Sequence, residues 1–143
     1  MQPTQPTFQF TDYGRYFDSA GVLRVEYLTT WPEAIAELLE HEEPQLTMTQ
    51  LRAFYQHAKR AEDAWRRKRL SPAEAVNEVK KLGYHANDRL GKKRIPQTFH
   101  DFVRLNVESV KADDDGRSLK AFLEHFEALV GFCAGRLDER ERI

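Results

Sequence analysis

The chain of 143 residues is long enough for one hydrophobic core of ordinary domain size, but not for two. Its 41% hydrophobic and 31% charged residues are typical of a folded globular protein and exclude an intrinsically disordered chain. One cysteine excludes an internal disulfide bond, and no apolar run approaches the roughly 18 residues that span a bilayer. The first residues have neither a basic start nor an apolar stretch, so we expect no secretory leader and a cytoplasmic protein without a membrane partner.

The charges are distributed unevenly along the chain, although the net charge is only −1. Between Arg52 and Arg94, thirteen basic and five acidic side chains give +8, so the rest of the chain carries −9. Such segregated charge attracts polyanions to the basic part and basic surfaces of other proteins to the acidic part. The central third is therefore predicted to be the binding region of the chain.

The N-terminal region precedes the helical pattern. We predict a flexible tail over residues 1–7 and a short arm or hairpin over residues 8–30, because aromatic and β-branched residues flank the turn signal Asp18-Ser19-Ala20-Gly21. A helical bundle is expected over residues 31–137, followed by a solvated tail over residues 138–143. The predicted fold is all-α: a compact bundle of about five helices with a short N-terminal arm, forming a single helical domain over residues 8–137.

The first two helices have recognisable start signals. The first begins at Trp31-Pro32-Glu33, because proline suits a first helical turn and acid suits the positive end of the helix dipole, and it ends at Pro44. The second begins near Thr47 or Thr49, where Thr47-Met48-Thr49-Gln50 fits a capping box. Its apolar residues recur at spacings of three and four and define the inner face: Leu51, Phe54, Tyr55, Ala58, Ala61 and Trp65.

The remaining three helices follow the same logic. Ser71-Pro72-Ala73-Glu74 predicts the start of the third, with a serine cap and proline at the first position. Pro96 opens the fourth, and an acidic loop over residues 113–116 separates it from the fifth. We expect five large side chains from the second, fourth and fifth helices in the core: Phe54, Trp65, Phe102, Phe122 and Phe126.

No residue pattern points strongly to catalysis. The histidines show no metal-ligand spacing and there is no glycine-rich phosphate loop, so we expect no metal site and no cofactor. A metal-independent ribonuclease that uses His57 or His85 as acid or base is one alternative. A helical adaptor whose basic face binds an acidic protein is another. A DNA-reading helix-turn-helix is a weaker option, because no short recognition helix stands out.

The basic side chains fall on particular sides of the predicted helices. At about 100° per residue, Arg52, Lys59 and Arg66 form a stripe that flanks the inner face of the second helix. Arg60 and Arg67 lie on the opposite, solvent-facing side. On the third helix, Tyr84 points away from the core among lysines, which suits stacking on a base or ribose. The residues predicted to bind RNA are Arg52, Lys59, Arg60, Arg66, Arg67, Lys80, Lys81, Tyr84, Arg89, Lys92, Lys93 and Arg94.

Four stretches resemble, in order and spacing, the small subunit of the type III-A CRISPR interference complex, the Csm complex. They are Tyr16-Phe17-Asp18-Ser19-Ala20-Gly21-Val22-Leu23-Arg24, Leu46-Thr47-Met48-Thr49-Gln50-Leu51-Arg52-Ala53-Phe54-Tyr55, Leu82-Gly83-Tyr84 with Arg89, and Phe122-Leu123-Glu124-His125-Phe126-Glu127-Ala128-Leu129-Val130-Gly131-Phe132. The resemblance runs from about residue 16 to residue 135. It departs at Gly83, where the family has alanine, and glycine loosens a helix slightly.

This resemblance implies a helical bundle without catalytic residues. Copies of such a subunit stack head to tail beside backbone subunits, and their basic faces line the channel where target RNA pairs with guide RNA. RNA cleavage belongs to the backbone subunit, and DNA cleavage and cyclic-oligoadenylate synthesis belong to the large subunit. The family's contact residues match at Arg52 and over residues 80–89; the other RNA-binding residues come from helix geometry. The predicted function is a non-catalytic, RNA-binding structural subunit that takes part in antiviral defence.

Overall fold

Five α-helices form most of the chain. A computed structural model describes residues 8–140; the expected flexible tail, residues 1–7, and the end of the expected solvated tail, residues 141–143, lie outside the described residues. The helices are α1 (Thr30–His41), α2 (Met48–Arg66), α3 (Pro72–Gly91), α4 (Gln97–Ser109) and α5 (Arg117–Cys133). The prediction of an all-α bundle of about five helices is confirmed. No helix within residues 8–140 combines the length and the apolar character needed to cross a membrane.

A short hairpin forms the N-terminal arm. Its strands meet at an isolated antiparallel bridge between Phe17 and Leu23. In the turn, Asp18 Oδ1 accepts hydrogen bonds from the backbone N–H groups of Ala20 and Val22, at 2.8 and 3.0 Å. Gly21 has a φ of +79°, in the left-handed region that favours glycine. Single 3-10 turns, Phe10–Asp12 and Val25–Tyr27, flank the hairpin.

The predicted helix starts are formed by side-chain hydrogen bonds. The Thr47 hydroxyl accepts from the Gln50 N–H at 3.2 Å, and the Gln50 side chain accepts from the Thr47 N–H at 2.9 Å. Ser71 and Glu74 make the same reciprocal pair at the start of α3, at 3.1 and 3.0 Å. Because each pair satisfies two backbone donors near the helix start, both sequence signals fix where their helices begin.

Aromatic rings from three helices meet in the core. Phe102 and Phe126 are fully buried and lie edge to face at 5.1 Å, and Phe54 meets Phe99 at the same distance. Trp65, by contrast, is only partly buried, so its assignment to the core is wrong. The helical period places Trp65 on the inner side of α2, but it lies in the last turn of that helix, where it packs against the loop before α5.

Gly83 does not interrupt α3, which continues to Gly91. A Cβ atom built at Gly83 would lie 3.7 Å from Val107 Cγ2, an ordinary van der Waals contact. An alanine at this position would therefore fit without a shift of the neighbouring helix.

The C-terminal segment returns to the start of α2. The carbonyl oxygens of Asp138 and Glu139 accept hydrogen bonds from the N–H groups of Met48 and Thr49, at 2.8 and 3.1 Å. These two donors are among those that an α-helix leaves unpaired in its first turn. The side chains of residues 138–140 stay exposed, while the backbone at residues 138–139 is held against the bundle.

A buried polar network attaches the N-terminal arm to α4 and α5. His125 is fully buried, and its Nδ1 lies 2.6 Å from the Tyr27 carbonyl oxygen, so Nδ1 carries the proton. His125 Nε2 then accepts a hydrogen bond from the Tyr13 hydroxyl at 2.6 Å. Asn106 donates to the same hydroxyl and accepts from Tyr16. Burial lowers the pKa of His125 to about 4, which keeps the ring neutral at pH 7.

Acidification should therefore weaken the fold through His125. Between pH 6.5 and about 4 the unfolded chain takes up a proton that the folded chain refuses, so the free energy of unfolding should fall by up to about 3 kcal/mol as the pH is lowered. Urea denaturation across this pH range measures the effect. The variant His125→Asn should lose that part of the pH dependence, whereas His41→Asn, at an exposed position, should keep it. An unchanged pH dependence in His125→Asn would contradict the assignment.

Candidate nucleic-acid interface

Helices α2 and α3 pack as an antiparallel pair. His57 Nε2 donates to the Glu78 carbonyl at 2.8 Å, and the rings of His57 and His85 lie 5.8 Å apart. Further along, the Arg89 guanidinium lies over the Phe54 ring at 5.4 Å. Successive residues along α2 therefore contact residues of decreasing number along α3. Because of this pairing, the solvent-facing sides of the two helices form one continuous surface.

We call this surface the outer face. Tyr84 is 60% exposed on it and lies next to the His85 ring, at a centroid distance of 4.7 Å. The Gln50 side chain donates to the Arg94 carbonyl at 3.0 Å, which holds the turn after α3 beside the start of α2. Eight residues predicted to bind RNA belong to the outer face: Arg60, Arg67, Lys81, Tyr84, Arg89, Lys92, Lys93 and Arg94.

A cavity of about 280 Å³ opens along the seam between the two helices. Its walls are mainly apolar or aromatic, and one guanidinium stands at its side. The lining residues are Thr49, Gln50, Ala53, Phe54, His57, Leu82, His85 and Arg89. Two of the stretches that carry the family resemblance therefore meet at this cavity.

Four of the predicted cations are already paired with carboxylates. Among them, Lys81 Nζ lies 2.6 Å from Glu78, and Lys92 Nζ lies 3.1 Å from Asp88. Both pairs are well exposed, with about 40% or more of each side chain accessible, so water screens them and each contributes little to stability. A phosphate could replace either carboxylate at little cost. The other two pairs are Arg52 with Glu139 and Lys59 with Glu62.

Five predicted cations have no carboxylate within 4.0 Å among residues 8–140. All are exposed or partly exposed side chains at the outer face or at the end of α2: Arg60, Arg66, Arg67, Lys93 and Arg94. Unpaired charges generate most of the long-range attraction for an anion. These five therefore contribute more to the positive potential than the paired lysines do.

Two other predicted residues donate hydrogen bonds to backbone carbonyl groups of the helices. Lys80 Nζ donates to the Val107 carbonyl at 2.6 Å and so satisfies an acceptor in the last turn of α4. Arg89 Nη1 donates to the His85 carbonyl at 3.3 Å. Lys80 reaches across to α4, on the flank of α3 opposite α2. Its loss would affect stability as well as any contact with RNA.

Arg52, Lys59 and Arg66 do not belong to the outer face. Lys59 is two residues from His57, which places it about 160° around α2 from the seam. Arg52 pairs at 2.8 Å with Glu139 of the C-terminal segment, on the same flank. The predicted stripe of three cations exists, but it lies toward α5. The basic segment of the sequence is thus divided between two surfaces.

The basic turns after α2 and α3 share one backbone geometry. Lys68 and Lys93 both have positive φ, at 59° and 57°, where glycine is usual. In each turn the next residue's N–H closes the helix: Arg69 donates to Ala64, and Arg94 donates to Arg89, at 2.8 and 2.9 Å. Cations here also complement the negative end of the helix dipole. Lys68 and Arg69 are exposed and were not among the predicted contacts, although both lie in the basic run.

The two histidines named for a ribonuclease do lie together. Burial, with the nearby Arg89 and His57 charges, lowers the pKa of His85, so that ring is neutral at pH 7. His57, however, uses Nε2 to bond the Glu78 carbonyl. Within residues 8–140 no group of three potential metal-binding side chains is assembled. Cys133 is buried, and burial raises the pKa of its thiol to about 12.

The fold and this geometry define a small all-α protein whose outer face is a candidate nucleic-acid interface. A family model described as Csm2 Type III-A matches residues 23–134, well over half of the chain. The chain therefore belongs to this family, the small subunit of the type III-A CRISPR Csm complex, which it forms with other Csm subunits. The resemblance drawn from the sequence is confirmed. No curated protein and no solved structure matches the chain.

The ion pair between Lys59 and Glu62 should stabilise the fold. Glu62 is only 4% exposed, and its carboxylate lies 2.9 Å from Lys59 Nζ. The variant Lys59→Met keeps the aliphatic stem but leaves this carboxylate without its partner, so the free energy of unfolding should fall by about 1–3 kcal/mol. Urea denaturation at pH 7 measures it. Arg60→Met, at the exposed neighbouring position, should change stability by less than about 0.5 kcal/mol. Equal stability of the two variants would mean that Glu62 is solvated.

Proposed function

We propose that this chain is a non-catalytic RNA-binding structural subunit of a type III-A CRISPR ribonucleoprotein. In this proposal it works in the cytoplasm, where its outer face lines the channel in which target RNA pairs with guide RNA. It stands beside the backbone and large subunits and next to other copies of itself. Its role in antiviral defence is to hold the RNA for subunits that carry out the chemistry.

The exposed ring of Tyr84 is the observation that carries this proposal. A tyrosine that is 60% exposed leaves a large apolar surface in water unless something covers it. It lies on the same surface as the Arg89 guanidinium and as the cations that have no carboxylate within 4.0 Å in the described part of the chain, residues 8–140. Stacking on a ring and neutralisation of phosphates are the two contributions by which proteins bind single-stranded RNA without reading its sequence.

The charge pattern favours phosphate contacts over base readout. The exposed pairs Lys81–Glu78 and Lys92–Asp88 can exchange a carboxylate for a phosphate. Lys93 and Arg94 have no carboxylate within 4.0 Å among residues 8–140 to give up. A subunit of a guided complex has no need to read bases, because base pairing with the guide does so. Contacts to the backbone are the appropriate chemistry for it.

The ribonuclease hypothesis keeps one supporting observation, the contact between the His57 and His85 rings. Against it, the hydrogen bond from His57 Nε2 to Glu78 occupies one of the nitrogens that acid–base catalysis needs. We expect purified chain to leave labelled RNA intact in the presence of EDTA. Cleavage that disappears in His57→Ala would contradict the binding function proposed here.

RNA affinity should depend on the salt concentration, on the cations of the outer face and on the ring of Tyr84. The double variants Arg60→Ala/Arg67→Ala and Lys93→Ala/Arg94→Ala should each reduce the slope of log affinity against log salt concentration. The reduction should be up to about 0.7 for each phosphate contact that is lost. Tyr84→Ala should lower the affinity by roughly 1–3 kcal/mol with little change in that slope. Fluorescence anisotropy of labelled RNA measures both, with the free chain and in the assembled complex.

The matched control removes two cations from another surface, in Arg15→Ala/Lys111→Ala. This variant should bind RNA as the wild type does. If the outer-face variants enter the complex and protect target RNA normally, the outer face is not the RNA surface. If heparin and an acidic polypeptide compete as well as RNA does, the adaptor hypothesis is favoured instead.

A further inference from the structure

Trp65 stands in a second aromatic and basic site, away from the seam. Its partly buried ring borders two cavities of about 400 and 420 Å³ at the end of α2. In the first cavity, Trp65 is the one aromatic side chain among mostly charged lining residues, and the start of α5 forms the far wall. Trp65 is about 18 Å along the helix axis from Ala53 in the seam. This site therefore does not overlap the outer face around Tyr84.

The loop before α5 holds one edge of the Trp65 ring. Gly116 has a φ of +76°, and a Cβ atom at this position would collide with the ring. Only glycine leaves room for the loop backbone to approach the ring this closely. The loop then blocks rotation of the Trp65 ring toward it. The remainder of the ring borders the cavities. A fixed, partly exposed indole is a preorganised stacking surface.

Cations from two distant parts of the sequence converge on the ring. Arg66 and Lys68 come from the end of α2, and Lys120 comes from α5. None of the three has a carboxylate within 4.0 Å in the part of the chain that the structure describes. Of the two acids in the cavity wall, Glu62 is neutralised by Lys59 at 2.9 Å, which leaves Asp115.

We propose that this site binds a nucleotide of single-stranded RNA, with its base against the Trp65 indole and its phosphates on Arg66, Lys68 and Lys120. The indole ring suits a flat aromatic group, and the cations around it suit the phosphates attached to that group. An acidic peptide would satisfy the cations but would leave the ring uncovered. One chain then holds RNA at two places, the outer face and the Trp65 site.

The fluorescence of Trp65 tests this proposal directly. The chain has two tryptophans, and Trp31 is only 8% exposed in the core, so Trp31→Phe leaves Trp65 as the only reporter. Titration of this full-length variant with oligoadenylate should quench the emission saturably. If Trp31→Phe does not fold, both tryptophans are labelled with 5-fluorotryptophan, the Trp65 signal is assigned with Trp65→Phe, and its ¹⁹F shift is followed instead.

Matched variants separate this site from the outer face. Lys68→Gly/Lys120→Ala should weaken the Trp65 response roughly tenfold in oligonucleotide concentration, and the glycine suits the positive φ at residue 68. Arg15→Ala/Lys111→Ala should leave the response unchanged, because it removes two cations elsewhere. Tyr84→Ala should leave it unchanged as well, even if the outer face turns out not to bind RNA.

Two results would overturn the proposal. One is RNA binding, measured by anisotropy, that leaves the Trp65 signal unaltered up to saturation. The other is an equal response to polyglutamate at the same charge concentration, since that would make the site a surface for acidic protein segments. A response to oligoadenylate that polyglutamate does not reproduce supports a base stacked on the ring.

Discussion

The antiparallel packing of α2 on α3 determines where the cations of this chain stand. The bond from His57 to the Glu78 carbonyl and the contact between Arg89 and the Phe54 ring fix the register of the pair. A shift of α3 by one residue would rotate that helix by about 100° and carry Tyr84 toward a neighbouring helix. With the register as it is, the solvent sides of both helices form one basic surface, and the proposed function depends on that surface.

Whether a cation of this protein is available to a polyanion depends on the groups it bonds more than on its exposure. Lys59 neutralises the buried carboxylate of Glu62, and Lys80 binds a carbonyl of α4, so both contribute to stability. Lys93 and Arg94 have no carboxylate among residues 8–140 within ion-pair distance and remain available to a polyanion. In the function proposed for this member of the Csm2 family, these available cations hold the RNA.

Local features of the fold could be predicted from the sequence, and long-range ones could not. The capping pairs of Thr47 and Ser71 involve residues three apart, so the sequence contains both partners side by side. The position of Trp65 depends on Gly116, which is 51 residues away, and its helical period alone suggested burial. Likewise, the basic run in the sequence does not indicate that Arg52 and Lys59 lie on the flank toward α5. That division depends on which helices pack on either side of α2.

Photocrosslinking in the assembled complex would show whether the outer face contacts target RNA. Target RNA containing 4-thiouridine, bound to the complex and irradiated, forms covalent bonds with side chains that touch its bases, and mass spectrometry locates them. We expect crosslinks on the outer face, at Tyr84 and His85 above all, and their loss in Tyr84→Ala without loss of assembly. Crosslinks confined to α1 and α4, with Tyr84 unmodified, would contradict it.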